Sequence, residues 1–111
     1  MTEHLDRCAD LFAALADPTR RRILDLLAVR GEATATALAD RIPVSRQAIA
    51  RHLGVLDGAE LVAAHRRGRE VLYVVRPARI AAAAGWLTRV AAEWEVRLEA
   101  IKRIAEAGDG R

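Results

Sequence analysis

The sequence predicts a mainly α-helical domain that carries one small β-hairpin. Apolar residues recur at steps of three and four over most of the 111 residues, which is the period of one helix face. Residues 61–76 differ, because two runs of β-forming residues, 61–63 and 71–75, flank a glycine turn there, a pattern typical of a hairpin. A chain of this length suits one compact domain and is short for two. We therefore expect a single domain over residues 1–111.

Composition excludes several classes of protein. A hydrophobic fraction of 52% and a charged fraction of 30% are typical of a folded chain rather than a disordered one. The apolar run Ile80–Leu87 is far shorter than a membrane span, and acidic Glu3 and Asp6 lie where a secretory signal carries positive charge. A single cysteine, Cys8, excludes an intramolecular disulfide. We expect a cytoplasmic protein with no membrane partner.

The first two helices are predicted on either side of an Asp-Pro pair. Apolar residues at helical spacing indicate a helix over residues 1–16. Asp17 is a good N-cap for the next helix, and Pro18 loses no hydrogen bond at a first helical position. The second helix is expected to end before Gly31.

Residues 34–57 predict two helices joined by a tight turn. Thr34 or Thr36 is expected to cap a short third helix, and Pro43 prevents its continuation. Ser45 is a good N-cap for a fourth helix, which we expect Gly58 to end. The inward stripe of that fourth helix is Ile49, Leu53 and Leu56.

A basic hairpin is predicted over residues 61–76, directly after these helices. Its tip carries Arg66, Arg67 and Arg69 around a glycine turn, and Tyr73 is expected to pack beneath it. Helix, turn, helix and hairpin in this order are typical of a winged helix-turn-helix, whose second helix lies in the DNA major groove.

The last predicted helix, residues 78–107, is too long for so small a core to cover. Its apolar residues alternate at steps of four and three, which is a heptad seam. A monomer would expose Leu87, Trp94 and Leu98, so we expect dimerisation. The alternative is packing against the first helix. The seam consists of Ile80, Ala84, Leu87, Ala91, Trp94, Leu98, Ile101 and Ala105.

Positive charge is concentrated in the predicted DNA-binding part. Seven arginines and only three acidic residues lie between Arg41 and Arg76, a distribution typical of a domain that docks on phosphates. Candidate base-reading residues are Gln47 and Arg51, because Gln pairs with adenine and Arg with guanine. The outer face of the fourth helix, which we expect to contact double-stranded DNA, carries Ser45, Arg46, Gln47, Ala48, Arg51 and His52.

Three consecutive arginines open the second helix, where the helix dipole disfavours cations. Arg20, Arg21 and Arg22 therefore require a compensating partner. An acidic neighbour is one alternative, and a DNA phosphate is the other, which makes Arg20 a further candidate DNA contact.

Two stretches resemble the ArsR/SmtB family of regulators. Residues 14–24, ALADPTRRRIL, and 45–56, SRQAIARHLGVL, keep the family's spacing to the hairpin, and the resemblance covers nearly the whole chain. It implies a homodimeric repressor, whose first and last helices form the dimer interface. The interface residues we expect are Leu5, Leu11, Phe12, Leu87, Trp94, Leu98 and Ile101.

Metal-sensing members of that family use cysteines before the recognition helix or ligands on the last helix. Here residues 36–41 have no sulfur, and the last helix has no histidine. We therefore expect no metal and no cofactor, with the inducer unknown. His4 and Cys8 are four residues apart, but a surface histidine and a buried cysteine explain them better than a shared metal.

Other functions remain open at this level. A sensor repressor would respond to a small molecule or to Cys8 oxidation, although no second thiol supports the latter. A helical protein-interaction module would use Trp86 and Trp94 to bind another protein. No nucleophile with a nearby base, carboxylate pair or phosphate-binding glycine loop indicates an enzyme.

Overall fold

The computed structural model describes the backbone of residues 2–109 and the side chains of residues 9–108. It confirms a mainly helical chain with a two-stranded hairpin and a long last helix. The elements, in chain order, are α1 (Thr2–Leu15), α2 (Pro18–Arg30), α3 (Ala35–Ala39), α4 (Arg46–Gly58), β1 (Val62–Arg67), β2 (Glu70–Val75) and α5 (Pro77–Asp109).

Three helices begin at N-caps of the kind the sequence predicts. The Asp17 carboxylate accepts from the backbone N–H groups of Thr19 and Arg20 at the start of α2. The Ser45 hydroxyl accepts from the Ala48 N–H at 3.0 Å at the start of α4. Thr34, rather than the alternative Thr36, caps α3. Each cap satisfies a backbone donor that the helix itself leaves unpaired.

The helix α4 ends at Gly58, as the sequence predicts, but Gly58 is not the residue that turns the chain. That residue is Glu60, whose φ of 60° is left-handed. The Glu60 N–H bonds to the Asp57 carbonyl and the Leu61 N–H to the Leu56 carbonyl, both at 2.9 Å. These two bonds form a Schellman motif, in which buried Leu56 and Leu61 provide the usual apolar pair. Hydrogen bonding and packing thus place a non-glycine residue where glycine is usual.

The hairpin is antiparallel, and its register runs from Val62 opposite Val75 to Arg67 opposite Glu70. A two-residue loop therefore closes it. Gly68, with φ of 62°, occupies the first loop position, where a type II′ turn takes glycine. Two backbone hydrogen bonds of 2.9 and 3.2 Å also pair Ala33 with Tyr73, which fastens the segment after α2 to β2.

The chain divides into two compact units, Met1–Ile80 and Ala81–Arg111. The first holds the helix-turn-helix and the hairpin, and the second consists of the remainder of α5. Whether they fold as one domain stays a prediction. Within the described residues, no helix combines the length and apolarity needed to cross a membrane. The most deeply buried large side chains of the first unit are Leu11, Ile23, Leu27, Leu38, Ile49, Leu53, Leu56, Leu61 and Val62.

Candidate nucleic-acid interface

The outer face of α4 presents polar side chains to solvent. Arg46, Gln47 and Arg51 are exposed, and Ala48 is half-buried. None of these three long side chains makes a hydrogen bond or ion pair within the described part of the chain. Burial of Ile49 on the opposite face holds the helix in this orientation. The face can therefore donate hydrogen bonds without first breaking internal ones.

Ser45 is exposed at the first turn of the same helix. Its hydroxyl oxygen already accepts the Ala48 N–H, but its own O–H proton stays available as a donor. A hydroxyl at a helix N-terminus, beside Arg46, suits an anionic oxygen.

His52 is turned toward α2 and is half-buried. Its Nδ1 lies 3.3 Å from Nη1 of Arg20. Arg20 also donates from Nε to the Ala14 carbonyl at 2.7 Å and from Nη2 to the Ala13 carbonyl at 3.2 Å. Its side chain is only 17% exposed. Arg20 thus has partners at the end of α1, and DNA contacts by Arg20 and His52 stay predictions.

Two of the three arginines that open α2 have partners at the end of α1, and Arg20 also has an acidic neighbour, since its Nη1 lies 4.0 Å from the Asp17 carboxylate. Arg21 donates from Nη1 to the Leu15 carbonyl at 2.7 Å, as Arg20 does to its two carbonyls. These carbonyls form the C-terminal end of α1, where a helix dipole is negative and favours cations. Carbonyl oxygens were not among the partners considered from the sequence, because the packing of α1 beside α2 is not visible in the spacing of residues.

The N-cap carboxylate of Asp17 belongs to the same cluster. Its burial raises the pKa, but hydrogen bonds from the Arg20 and Thr19 N–H groups and positive charge on His52 and Arg20 lower it by more. The net result is a pKa below the ordinary aspartate value. Asp17 is therefore stabilised as a carboxylate in the folded chain.

The three wing arginines are exposed but not equivalent. Nη1 of Arg67 lies 2.8 Å from one carboxylate oxygen of Glu32, and Nε2 of His65 lies 3.1 Å from the other. Arg66 and Arg69 make no such pair within the described residues. Residue spacing gives no sign of the Glu32 contacts, because the partners of Glu32 are more than 30 positions away along the chain.

A groove separates the start of α3 and the outer face of α4 from the hairpin. Tyr73, expected beneath the wing, is half-buried and faces this groove. Two exposed residues missed from the sequence, Thr36 and Ala50, also border it. Ala50 lies one helical turn after Arg46, which is the signal that would have found it. The full lining is Thr34, Ala35, Thr36, Arg46, Ala50, Arg69, Glu70, Val71 and Tyr73.

The predicted dimer residues fall into three groups. Leu87, Trp94, Leu98 and Ile101 are 48%, 52%, 58% and 59% exposed, and Phe12 is 36% exposed. Leu11 corrects the expectation, because at 2% exposure it leaves a partner no surface to contact. Leu5 lies outside the residues whose side chains are described.

No group of three or more His, Cys, Asp or Glu side chains that could hold a metal occurs within the described part of the chain. The His4 and Cys8 side chains lie outside that part. The candidate interface therefore consists of the polar outer face of α4, the groove and the basic hairpin.

Comparison with known proteins supports the same architecture. Residues 15–64 match the model of a helix-turn-helix domain family. A probable mercury resistance operon repressor from Streptomyces lividans is 32% identical over 108 residues, which cover 97% of this chain and 86% of the relative.

Two solved structures are similar along most of their length. An ArsR-like transcriptional regulator from Rhodococcus sp. RHA1 is 45% identical with a TM-score of 0.88, covering 96% of this chain and 97% of that one. A homodimeric winged helix-turn-helix DNA-binding domain from Mycobacterium bovis is 32% identical with a TM-score of 0.67, covering 83% of this chain and 84% of that one.

Proposed function

This chain belongs to the ArsR family of winged helix-turn-helix transcriptional regulators, and on that premise we propose that it represses transcription as a homodimer bound to an inverted-repeat operator. The family consists of DNA-binding regulators and not of enzymes. The observation that carries the proposal is the outer face of α4, where Arg46, Gln47 and Arg51 are exposed without internal partners among the described residues.

The proposed dimer forms through α5, together with exposed parts of α1. Four large apolar side chains of α5, from Leu87 to Ile101, are about half exposed, which is costly for a monomer in water. The similar domain from Mycobacterium bovis is homodimeric, which supports a dimer here. A two-fold dimer would place its two α4 helices in successive major grooves about 34 Å apart.

The residues divide into two roles in this proposal. Gln47 and Arg51 read base edges, because their side chains pair bidentately with adenine and guanine. Ser45, Arg46 and the wing arginines hold phosphates, which positions the protein without reading sequence. The operator lies in the DNA upstream of the protein's own gene, so that repression is autoregulatory.

The test compares cognate with scrambled DNA. Gln47→Ala and Arg51→Ala should each cut the preference for cognate DNA by about 1–3 kcal/mol, as read from the ratio of the two Kd values. Arg46→Ala should weaken binding to both DNAs alike, and Arg89→Ala, an exposed arginine on α5, is the control. Equal losses of preference from Arg46→Ala and Arg51→Ala would refute the division of roles.

We also propose that operator binding does not depend on a metal. The described residues offer no ligand cluster, yet the Streptomyces relative is named for mercury resistance, which makes a metal sensor the second candidate. Operator affinity should stay constant when chelator, Zn²⁺ or Hg²⁺ is added. A metal-induced loss of affinity that Cys8→Ser abolishes would establish the sensor instead.

A further inference from the structure

The hairpin wing presents two chemically different faces. Successive side chains of a strand point to opposite faces of the sheet. The register therefore places Arg66 on the face of Val71 and Tyr73. His65 and Arg67 lie on the opposite face. Arg66 and Arg67, which are adjacent in the sequence, thus have different surroundings.

The His65–Arg67 face is fastened to the body of the protein by Glu32. The next residue, Ala33, exchanges two backbone hydrogen bonds with Tyr73 of β2. The Glu32 carboxylate meanwhile contacts Arg67 at 2.8 Å and His65 at 3.1 Å, both on β1. One dipeptide therefore holds both strands of the wing, by backbone on one strand and by side chain on the other.

The opposite face of the wing belongs to the groove beside α4. Val71 and Tyr73 line that groove together with Arg46 of α4 and Arg69 of the hairpin loop. Arg66 shares their face by register. Arg46, Arg66 and Arg69 form no ion pair in the described part of the chain, although Glu70 also lines the groove. The unpaired arginines of the wing therefore lie on this side.

We infer that Glu32 is a positioning residue for the wing, and that Arg66 and Arg69, rather than Arg67, carry the wing's contact with DNA phosphates. The inference rests on the proposed function and narrows it to particular residues. The Arg67 side chain is 65% exposed and that of Glu32 33% exposed. A pair so open to solvent adds little stability, so its effect lies in where it holds the wing.

The salt dependence of operator binding distinguishes Arg66 and Arg69 from Arg67. Each phosphate contact that is lost makes the negative slope of log K against log salt concentration shallower by about 0.9. The proposed dimer carries each substitution twice, so Arg66→Ala and Arg69→Ala should each make the slope on operator DNA shallower by about 1.8. Arg67→Ala should leave the slope unchanged while weakening binding. A slope change for Arg67→Ala as large as that for Arg66→Ala would overturn the assignment.

The Glu32→Gln variant distinguishes two roles for Glu32, which are positioning the wing and competing with DNA for Arg67. If Glu32 positions the wing, Glu32→Gln and Arg67→Ala each weaken operator binding about twofold to fivefold, and the double variant is no weaker than either. If Glu32 merely competes with DNA for Arg67, Glu32→Gln tightens binding instead. Glu70→Gln is the control, because it removes one negative charge from the wing without breaking an ion pair. Its effect on operator affinity measures how much binding gains merely from weaker repulsion between the wing and DNA phosphates.

A second measurement on the free protein keeps this inference separate from the proposed function. Glu32→Gln and Arg67→Ala should speed hydrogen exchange at the paired Ala33 and Tyr73 amides relative to Glu70→Gln. Without the Glu32–Arg67 ion pair, the wing opens more often. Unchanged exchange would overturn the positioning role. Failure of the unaltered protein to prefer any operator would overturn the proposed function, whatever the exchange rates are.

Discussion

The winged-helix unit and the last helix carry the same kind of apolar pattern but differ in what covers it. In α4, Ile49, Leu53 and Leu56 are completely buried. In α5, Leu87, Leu98 and their neighbours on the seam are about half exposed. Periodicity thus predicts which face of a helix is apolar, but not whether the same chain or a second copy covers that face.

The largest effect is expected from Leu53→Ala, which removes a fully buried side chain of α4. The lost transfer free energy and the cavity left behind should lower the free energy of unfolding by about 2–5 kcal/mol. Leu98→Ala makes the same chemical change at a residue that is 58% exposed. In urea titrations at concentrations low enough to hold the protein monomeric, it should cost far less. Equal costs would remove the contrast between the two regions.

The next effect concerns self-association. Leu98→Asp should weaken the dimer by at least about 2 kcal/mol, since it places a charge within the proposed apolar interface. Val96→Asp is the matched control, because Val96 is 69% exposed and lies about 200° around the helix from Leu98. Sedimentation equilibrium should find Leu98→Asp monomeric and Val96→Asp dimeric. The same association constant for both variants would count against the seam.

A smaller effect is expected at the end of α4. If Gly58 were the left-handed residue that turns the chain, Gly58→Ala would destabilise the protein. In the structure Gly58 is the last residue of α4, the left-handed residue is Glu60, and open space lies where the methyl group of an alanine would be. Gly58→Ala should therefore raise the free energy of unfolding by up to about 0.5 kcal/mol. A loss of stability in thermal unfolding would mean that the end of α4 needs a glycine at this position.

The smallest effect is a pH dependence within the cluster at the start of α2. Because folding lowers the pKa of Asp17, its contribution to stability is complete above the unfolded value of about 3.9. That contribution is lost as pH falls through the lower folded value. Asp17→Asn keeps an N-capping oxygen but does not titrate, so its acid unfolding curve should be flatter in that range. Parallel curves would contradict the assignment.

Local features of the fold were predictable because their causes are local. Asp17 and Ser45 cap helices through donors two or three residues away, so spacing reveals them. Glu60 was not predictable as the turning residue, since the buried pair Leu56 and Leu61 favours its left-handed backbone over the usual glycine.

In the candidate site, too, features with local causes were predictable from the sequence, and features that depend on packing between elements were not. The exposed face of α4 follows from the spacing of its buried residues. The partners of Arg20 and Arg67 do not, because the Ala14 carbonyl and the Glu32 carboxylate reach them through packing between separate elements. Leu11 was assigned to the interface because the family resemblance places dimer contacts on the first helix, and its helical spacing cannot distinguish an internal core from a contact between subunits.

The most direct test of the proposed repressor function is fluorescence anisotropy of the purified protein on DNA from upstream of its own gene. Scrambled DNA is the comparison, with two salt concentrations and chelator present throughout. We expect preferential binding of two chains per site that weakens as salt rises and survives chelation. Equally weak binding to both DNAs would contradict it.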